Sequence, residues 1–415
     1  MAVDVDVNGQ SVVTLGEEEG KKILEEYHLP VDKKEAVKAL ARWIWENPEL
    51  GLEERQACQR QVDFLRGEGF SVTSPYCGLE TAYRAEFSNG DAASPAFAFC
   101  AEYDALPKLG HACGHNLIAG SAVGAALLAK QQMLRERISG RIVVLGCPAE
   151  ETRGGKIQMA DEGALSDIDA LMMAHPVGGD VARHDNGYAG LRTAKIYYYG
   201  SGGSGVARCG NPNFVNPLDA QPLLYQAVAF RRHYTPGDVA LIGCIPDGGE
   251  RANIIPVETH SIYTIRSQNR KNLATTAEML RTMADGAALL TGTKVKFELS
   301  GRYEPTLPVH SLGDVFLETA KLLGMATRHE RGGLNFAATD FGNFAQLRPG
   351  VHVHFPTGGK ASPHTEGFTE SANADVAYEN MSIASVAMAS TALKYLRDSS
   401  FRSLVAEQFK AAKEE

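Results

Sequence analysis

The stretch Ala101–Asn116 (AEYDALPKLGHACGHN) sets two carboxylates, Glu102 and Asp104, ahead of His111, Cys113 and His115. A thiol and imidazoles beside carboxylates are donors for a borderline divalent metal, and they are also groups that move protons near neutral pH. Cys113 and His115 stand too close in sequence for a structural zinc knuckle, whose ligands are separated by two to four residues. In a tight turn both side chains can nevertheless face one cleft. The plainer reading is one buried cysteine with loop histidines, and the upstream acids weigh against it. Two more stretches repeat the theme. Glu150 and Glu151 are adjacent carboxylates after an apolar run, where one can bind a metal and the other stay free to move a proton. His175 follows a further apolar run, and His364 lies late in the chain within GGKASPHTEGF.

The elements that must position these groups are legible as apolar runs. Ala96–Cys100 (AFAFC), Arg141–Leu145 (RIVVL) and Ala170–Ala174 (ALMMA) read as buried strands, and each ends in candidate ligands. In an α/β sheet the site forms where strands end and helices begin. Leu117–Met133 reads as the helix after the first strand, and Lys34–Glu46 and Glu53–Gly67 as amphipathic packing helices. From about Leu191 the texture changes. The order β-α-β-β-α-β, from Ala194–Tyr199 to Lys294–Leu299, predicts a separate module of the split βαβ type. The expected organisation is a catalytic domain in two parts, 1–190 and 301–415, with a satellite domain, 191–300, inserted between them. His352 and His354 alternate in a strand at Gly350–Phe355, and the helix Asn373–Leu396 closes the fold.

Composition narrows the class. The 415 residues are 44% hydrophobic and 22% charged with a net charge of −9, which is ordinary for a globular protein. No basic stripe points to nucleic acid, and no run of 18 apolar residues points to a membrane. The acidic start lacks the apolar core of a secretory signal. Seven scattered cysteines do not form a disulfide framework, so a reducing, cytoplasmic setting is expected.

The motifs NPELGLEE (Asn47–Glu54), EYDALPKLGHACGHNLIA (Glu102–Ala119), PAEETRGGKI (Pro148–Ile157), AHP (Ala174–Pro176), NPLDA (Asn216–Ala220), DGGERANIIP (Asp247–Pro256), TDFGN (Thr339–Asn343) and HTEGF (His364–Phe368) occur in one order along nearly the whole chain. In this the chain resembles the dinuclear metallopeptidase family of aminoacylases, hippurate hydrolase and indole-acetyl-amino-acid hydrolases, nearest its β-alanyl-lysine dipeptidase-like subgroup. The resemblance implies a mixed α/β zinc-peptidase-like catalytic domain and an α+β ferredoxin-like satellite that pairs subunits into a homodimer. It implies two divalent ions per subunit, held by Cys113 (bridging), His115, Glu151, His175 and His364. The donor types favour zinc and also accommodate manganese. Glu150 is implied as the general base on a metal-activated water, with Asp104 orienting a ligand. Asn253 and Arg266 are implied to hold a substrate carboxylate, the substrate being an N-acyl amino acid or a small dipeptide.

One motif is broken. Family members carry a satellite histidine that stabilises the oxyanion, and here the corresponding position is Ser204 or Val206, with no histidine between His184 and His233. Losing one oxyanion donor slows catalysis by ~10²–10³. Arg208 or a hydroxyl, with Arg208 and Ser204 as the substrate-binding candidates, is the expected substitute donor, on a mobile loop spanning Gly200–Asn213. The break leaves two alternatives beside the amidohydrolase: a repurposed metalloenzyme that forms amides, cyclises or acts as a lyase, and a non-catalytic small-molecule binder.

Overall fold

The computed structural model describes residues 2–5, 11–91, 93–184, 186–329 and 331–414. Its chain divides into two compact units. The first comprises 1–186, 307–333 and 343–415, and the second comprises 187–306 and 334–342. The expected division at 190/191 and 300/301 is thus displaced by a few residues, and 334–342 changes sides. Backbone pairing explains the transfer, because the Ala189 N–H donates to the Ala337 carbonyl at 2.8 Å.

The first unit is built on an eight-stranded mixed sheet. Its order is Ala326–Arg328, Val181–Arg183, Gly350–Pro356, Ala170–Val177, Ala96–Glu102, Gly140–Cys147, Tyr83–Asn89 and Ser71–Thr73. The four central strands, from Gly350–Pro356 to Gly140–Cys147, pair in parallel. Such strands are covered on both faces, which is why they read as unbroken apolar runs. Ala96–Glu102 and Gly140–Cys147 are buried at every position. Ala96–Glu102 lies between its two successors, Gly140–Cys147 on one side and Ala170–Val177 on the other. The chain therefore reverses direction of travel across the sheet there, and the crevice at such a switch point is where α/β sheets bind ligands.

Helix His115–Glu136 crosses this sheet and packs against Asp375–Arg397. It is long and apolar enough to span a bilayer by length and composition, but most of it is buried in the fold as a core helix. Its small residues serve helix packing: a Cβ at Gly120 would sit 2.3 Å from Met381 Sδ, and one at Gly124 would sit 2.6 Å from Ser385 Oγ. The expected closing helix is followed by another, Ser399–Glu414, whose Phe401 and Val405 are buried.

The second unit is a four-stranded antiparallel sheet, in the order Val239–Asp247, Glu258–Ser267, Gly190–Tyr199 and Lys294–Tyr303. Its own core joins Ile196, Tyr198, Tyr263 and Ile265 of the strands to Leu224 of helix Ala220–Arg231 and Leu280 of helix Arg270–Thr291. Strand order and connections are those of the ferredoxin-like split βαβ module.

Candidate metal centre

All five expected ligands lie in the first unit, at or just beyond the ends of the parallel strands. Gly114 caps the helix that starts at His115 with φ of 76°. A side chain there would be strained, and a Cβ would also meet Pro176 Cγ at 2.5 Å. This turn aims Cys113 and His115 the same way. The Cys113 Sγ lies 3.4 Å from His175 Nε2, and His364 Nε2 lies 3.2 Å from Glu151 Oε1. Metal-donor atoms converge in three overlapping groups, each within 4.8 Å: Cys113, His115 and His175; Cys113, Glu151 and His364; His115, Glu150 and Glu151. Cys113 is shared by the first two, which together contain all five expected ligands.

The imidazoles are held in defined orientations. His175 Nδ1 faces the Pro176 carbonyl at 2.7 Å, leaving Nε2 toward Cys113. His115 Nδ1 is 2.9 Å from Asp104 Oδ1, leaving Nε2 inward. Asp104 Oδ2 accepts from the Glu151 N–H at 2.9 Å, so one buried carboxylate fixes two candidate ligands. Burial opposes charge on both Asp104 and His115, but their mutual attraction outweighs it, lowering the Asp104 pKa and raising that of His115. Burial likewise opposes the charge on Glu151, and the His364 hydrogen bond with the His115 charge overcomes it. His175 is pushed down to about 4, first by burial and then by His115. The Cys113 thiol is raised by burial, so a cation beside it would be needed to hold it as thiolate.

The donor set fits divalent metal. His115 Nε2 and Glu102 Oε2 are buried, 3.5 Å apart, and neither makes a hydrogen bond. An inward imidazole nitrogen with no partner beside a thiol and a carboxylate is a ligand pattern, since buried polar atoms otherwise find partners. His111 is buried but belongs to none of the donor groups, and burial lowers it to about 3.

Three features escaped the sequence reading. Lys156 is fully buried with its Nζ 2.5 Å from Glu102 Oε1, an ion pair beneath His115. Its signal was a lysine inside the PAEETRGGKI motif, indistinguishable by pattern from a solvated one. His352 and His354 are buried beside His175, with ring centroids 5.4 and 6.4 Å from it. Their i, i+2 spacing put both on one face of the strand. Glu54, the last residue of the NPELGLEE motif, is fully buried and reaches the Ala149 N–H at 2.8 Å.

The expected substrate residues lie in the second unit. Gly203–Ser204 pairs with Ile254–Ile255, and the Gly205 N–H donates to the Asn253 carbonyl at 3.0 Å, so Ser204 and Asn253 are neighbours. The segment expected to be all loop therefore contains a strand and the short helix Gly205–Arg208. Gly202 supplies the positive φ, 64°, at its entrance, and Ser204 Oγ accepts from the Ala207 N–H at 3.4 Å. The Arg208 side chain lies outside the described residues. Arg266 is held elsewhere: its Nη1 donates to the Phe336 carbonyl at 2.6 Å, so part of the fork expected to bind a carboxylate anchors 334–342.

Parallel strands with metal donors at their C-terminal ends and an appended ferredoxin-like module define the class: a metal-dependent amidohydrolase. The chain belongs to peptidase family M20/M25/M40, whose model matches residues 98–381. It is 35% identical over 401 residues to Xaa-Arg dipeptidase of Mus musculus, which covers 92% of this chain and 90% of that protein. It is 26% identical over 360 residues to N-acetylcysteine deacetylase of Bacillus subtilis (strain 168), covering 80% and 90%. The solved structure of Bacillus subtilis YXEP protein, a dinuclear metal binding peptidase from the M20 family, matches with a TM-score of 0.70 at 21% identity, over 88% of this chain and 99% of that one.

Proposed function

We propose that the protein cleaves the amide bond of an N-acyl amino acid or a small dipeptide, using two divalent ions shared through Cys113. The observation that carries this reading is the pair of three-donor groups, Cys113–His115–His175 and Cys113–Glu151–His364, with one residue in common. Ions held there would supply Lewis acidity toward the amide carbonyl and toward water. The thiol and imidazole content favours zinc, with manganese as the second metal to test. Glu150, beside a ligand without being needed as one, takes a proton from the attacking water and passes it to the leaving nitrogen. Asp104 fixes His115 and the Glu151 backbone. Glu102 and Lys156 supply a buried, charge-balanced floor.

Xaa-Arg dipeptides head the substrate panel because of the mouse relative, followed by N-acetyl amino acids. Copies of the chain pair through the second unit. Support comes from its outer strand, Val239–Asp247, which exposes Ile242 at 66%, and from exposed Phe230 and Tyr234. All seven cysteines are free, in keeping with a cytoplasmic setting.

The test separates the adjacent carboxylates. Glu150→Gln should keep wild-type metal content and lose activity by at least ~10²-fold, the lower end for acid–base catalysis. Glu151→Gln should lose metal. Elemental analysis and turnover of the panel by each variant read both, and the opposite pattern would mean that the roles are exchanged.

A further inference from the structure

We infer that Glu54 is a positioning residue for Glu150: its buried carboxylate holds the Ala149 peptide in the turn that sets the Glu150 side chain. The inference rests on Glu150 being the general base. Ala149 stands at φ 60°, a left-handed conformation that disfavours any residue with a Cβ. Glu54 is fully buried, and its Oε1 accepts the Ala149 N–H at 2.8 Å from 95 positions away in sequence. Two residues further on, the Glu151 N–H donates to Asp104 Oδ2 at 2.9 Å. The backbone is therefore pinned to a buried carboxylate on each side of Glu150.

The rest of the turn is closed in the same way. The Ala149 carbonyl accepts from the N–H groups of Thr152, Arg153 and Gly154, at 3.3, 3.2 and 2.8 Å. Gly51, in the same motif as Glu54, lies against it from behind. A Cβ on Gly51 would be 3.0 Å from Ala149 Cα and 2.3 Å from Thr152 Oγ1. The NPELGLEE segment thus forms a wall behind the Glu150 turn, and Glu54 is its one hydrogen bond to the Ala149 N–H. A strained residue persists only where its surroundings over-determine it, and such strain gathers where a side chain must be aimed. What the turn needs from Glu54 is an acceptor. No hydrogen bond of normal geometry reaches its Oε2, and the buried Thr81 hydroxyl lies near its carboxylate. Glutamine can therefore keep the Oε1 contact and turn its amide N–H toward Thr81, whereas methionine fills the space with no acceptor.

The experiment compares wild type, Glu54→Gln, Glu54→Met, Glu150→Gln and the double variant Glu54→Met/Glu150→Gln. Deuterium exchange of the peptide spanning Cys147–Gly154 is followed in metal-free protein. Metal content, kcat and KM are measured after zinc loading. In Glu54→Met, exchange in that peptide should rise at least ~10-fold. The kcat should fall ~10²-fold, the scale of a 1 Å misplacement, with KM and metal content within about twofold of wild type. Glu54→Gln should restore both exchange and kcat. The double variant should be no slower than Glu150→Gln alone, because Glu54 acts only through Glu150. Unchanged exchange in Glu54→Met overturns the anchor. Faster exchange with unchanged kcat overturns the link to Glu150. Loss of metal in step with kcat also overturns it, in favour of a general structural role. If Glu54→Met does not fold, Glu54→Asp, one methylene short of the N–H, carries the same expectations. If wild type turns over nothing on the panel, the amidohydrolase reading fails by itself, and the exchange measurement still decides whether Glu54 holds the turn.

Discussion

Asp104→Asn changes one atom and poses a choice that the site cannot resolve. Asp104 is 1% exposed, so water cannot replace a lost partner. Its Oδ1 faces His115 Nδ1 at 2.9 Å, and its Oδ2 accepts the Glu151 N–H at 2.9 Å. An asparagine has one oxygen for these two donors. If the oxygen stays on His115, the amide NH₂ confronts the Glu151 N–H, donor against donor, and the Glu151 backbone must move. If the amide flips, its NH₂ confronts the His115 Nδ1–H, which keeps only the Asp104 backbone carbonyl at 2.9 Å, and the amide N–H is left without a partner. In either arrangement the loss is that of one buried, unsatisfied donor, about 1–3 kcal/mol. At 1.4 kcal/mol per decade this is a ~5–150-fold weakening of metal binding. That range agrees with the ~10–100-fold effect of removing a partner that orients a metal-binding histidine. The assay titrates zinc into metal-free protein against a chromogenic chelator, for wild type and Asp104→Asn, with exchange protection of helix His115–Glu136 as the check on folding. A dissociation constant within threefold of wild type, in a variant whose helix is fully protected, would refute the claim that Asp104 fixes the two ligands.

Three further outcomes are expected. Lys156→Met strands Glu102 without its buried partner, which costs about 3–5 kcal/mol. Thermal unfolding of metal-free protein should fall by roughly 3–8 °C, and most of this should return in Lys156→Met/Glu102→Gln. Burial lowers the His329 pKa, but the Asp314 carboxylate 3.6 Å from its Nδ1 and the hydrogen bond of its Nε2 to Glu318 at 3.2 Å outweigh it and lift it to about 9. Its stabilisation is therefore complete below about pH 6.5 and is lost as pH rises through about 9, so the melting temperature should drop more between about pH 7 and 9.5 in wild type than in His329→Gln. Ser204→His places an imidazole at a position where the resemblance implies one, and kcat/KM for an N-acyl amino acid should rise by at least ~10-fold. No rise there and none in Val206→His would remove the missing histidine as the explanation of any slow turnover.

The strand ends were legible because burial on both faces leaves a plain trace. A parallel strand covered by helices must be apolar at every position, and the first polar residues after it fall at the mouth of the sheet. Cys113 and His115, Glu150 and Glu151, and His175 were found on that pattern, and the resemblance added His364. The second unit was legible in outline, since alternating strands and two amphipathic helices need only local periodicity. Its boundary was not, because whether 334–342 joins it depends on hydrogen bonds to Gly187–Thr306 made across long stretches of intervening chain, among them Ala189 N–H to the Ala337 carbonyl. Arg266 shows the same limit. Its sequence neighbourhood marks an arginine on a half-buried strand, while the partner that occupies Nη1, the Phe336 carbonyl, is 70 residues away.

The sequence showed Glu102 and Asp104 as an acid pair but hid Glu54 and the partners that let all three acids be buried behind the site. Glu54, Glu102 and Asp104 are all at most 1% exposed, and three carboxylates so close to one centre would repel one another and lose hydration if left unpaired. Each is admitted to the core by a specific donor: the Ala149 N–H for Glu54, Lys156 for Glu102, and His115 with the Glu151 N–H for Asp104. Three of those donors lie 95, 54 and 47 positions away, and all three fall between Ala149 and Lys156. A single segment thus neutralises or satisfies the acids with its backbone and one lysine while presenting Glu150 and Glu151 of its own. The turn after strand Gly140–Cys147 that carries Glu150 and Glu151 is held by the acids behind it, which accept its Ala149 and Glu151 N–H groups. A local pattern sees two adjacent glutamates in that segment. The reason they are fixed, and not merely solvated, lies in Glu54 and Asp104, which the fold brings up from behind.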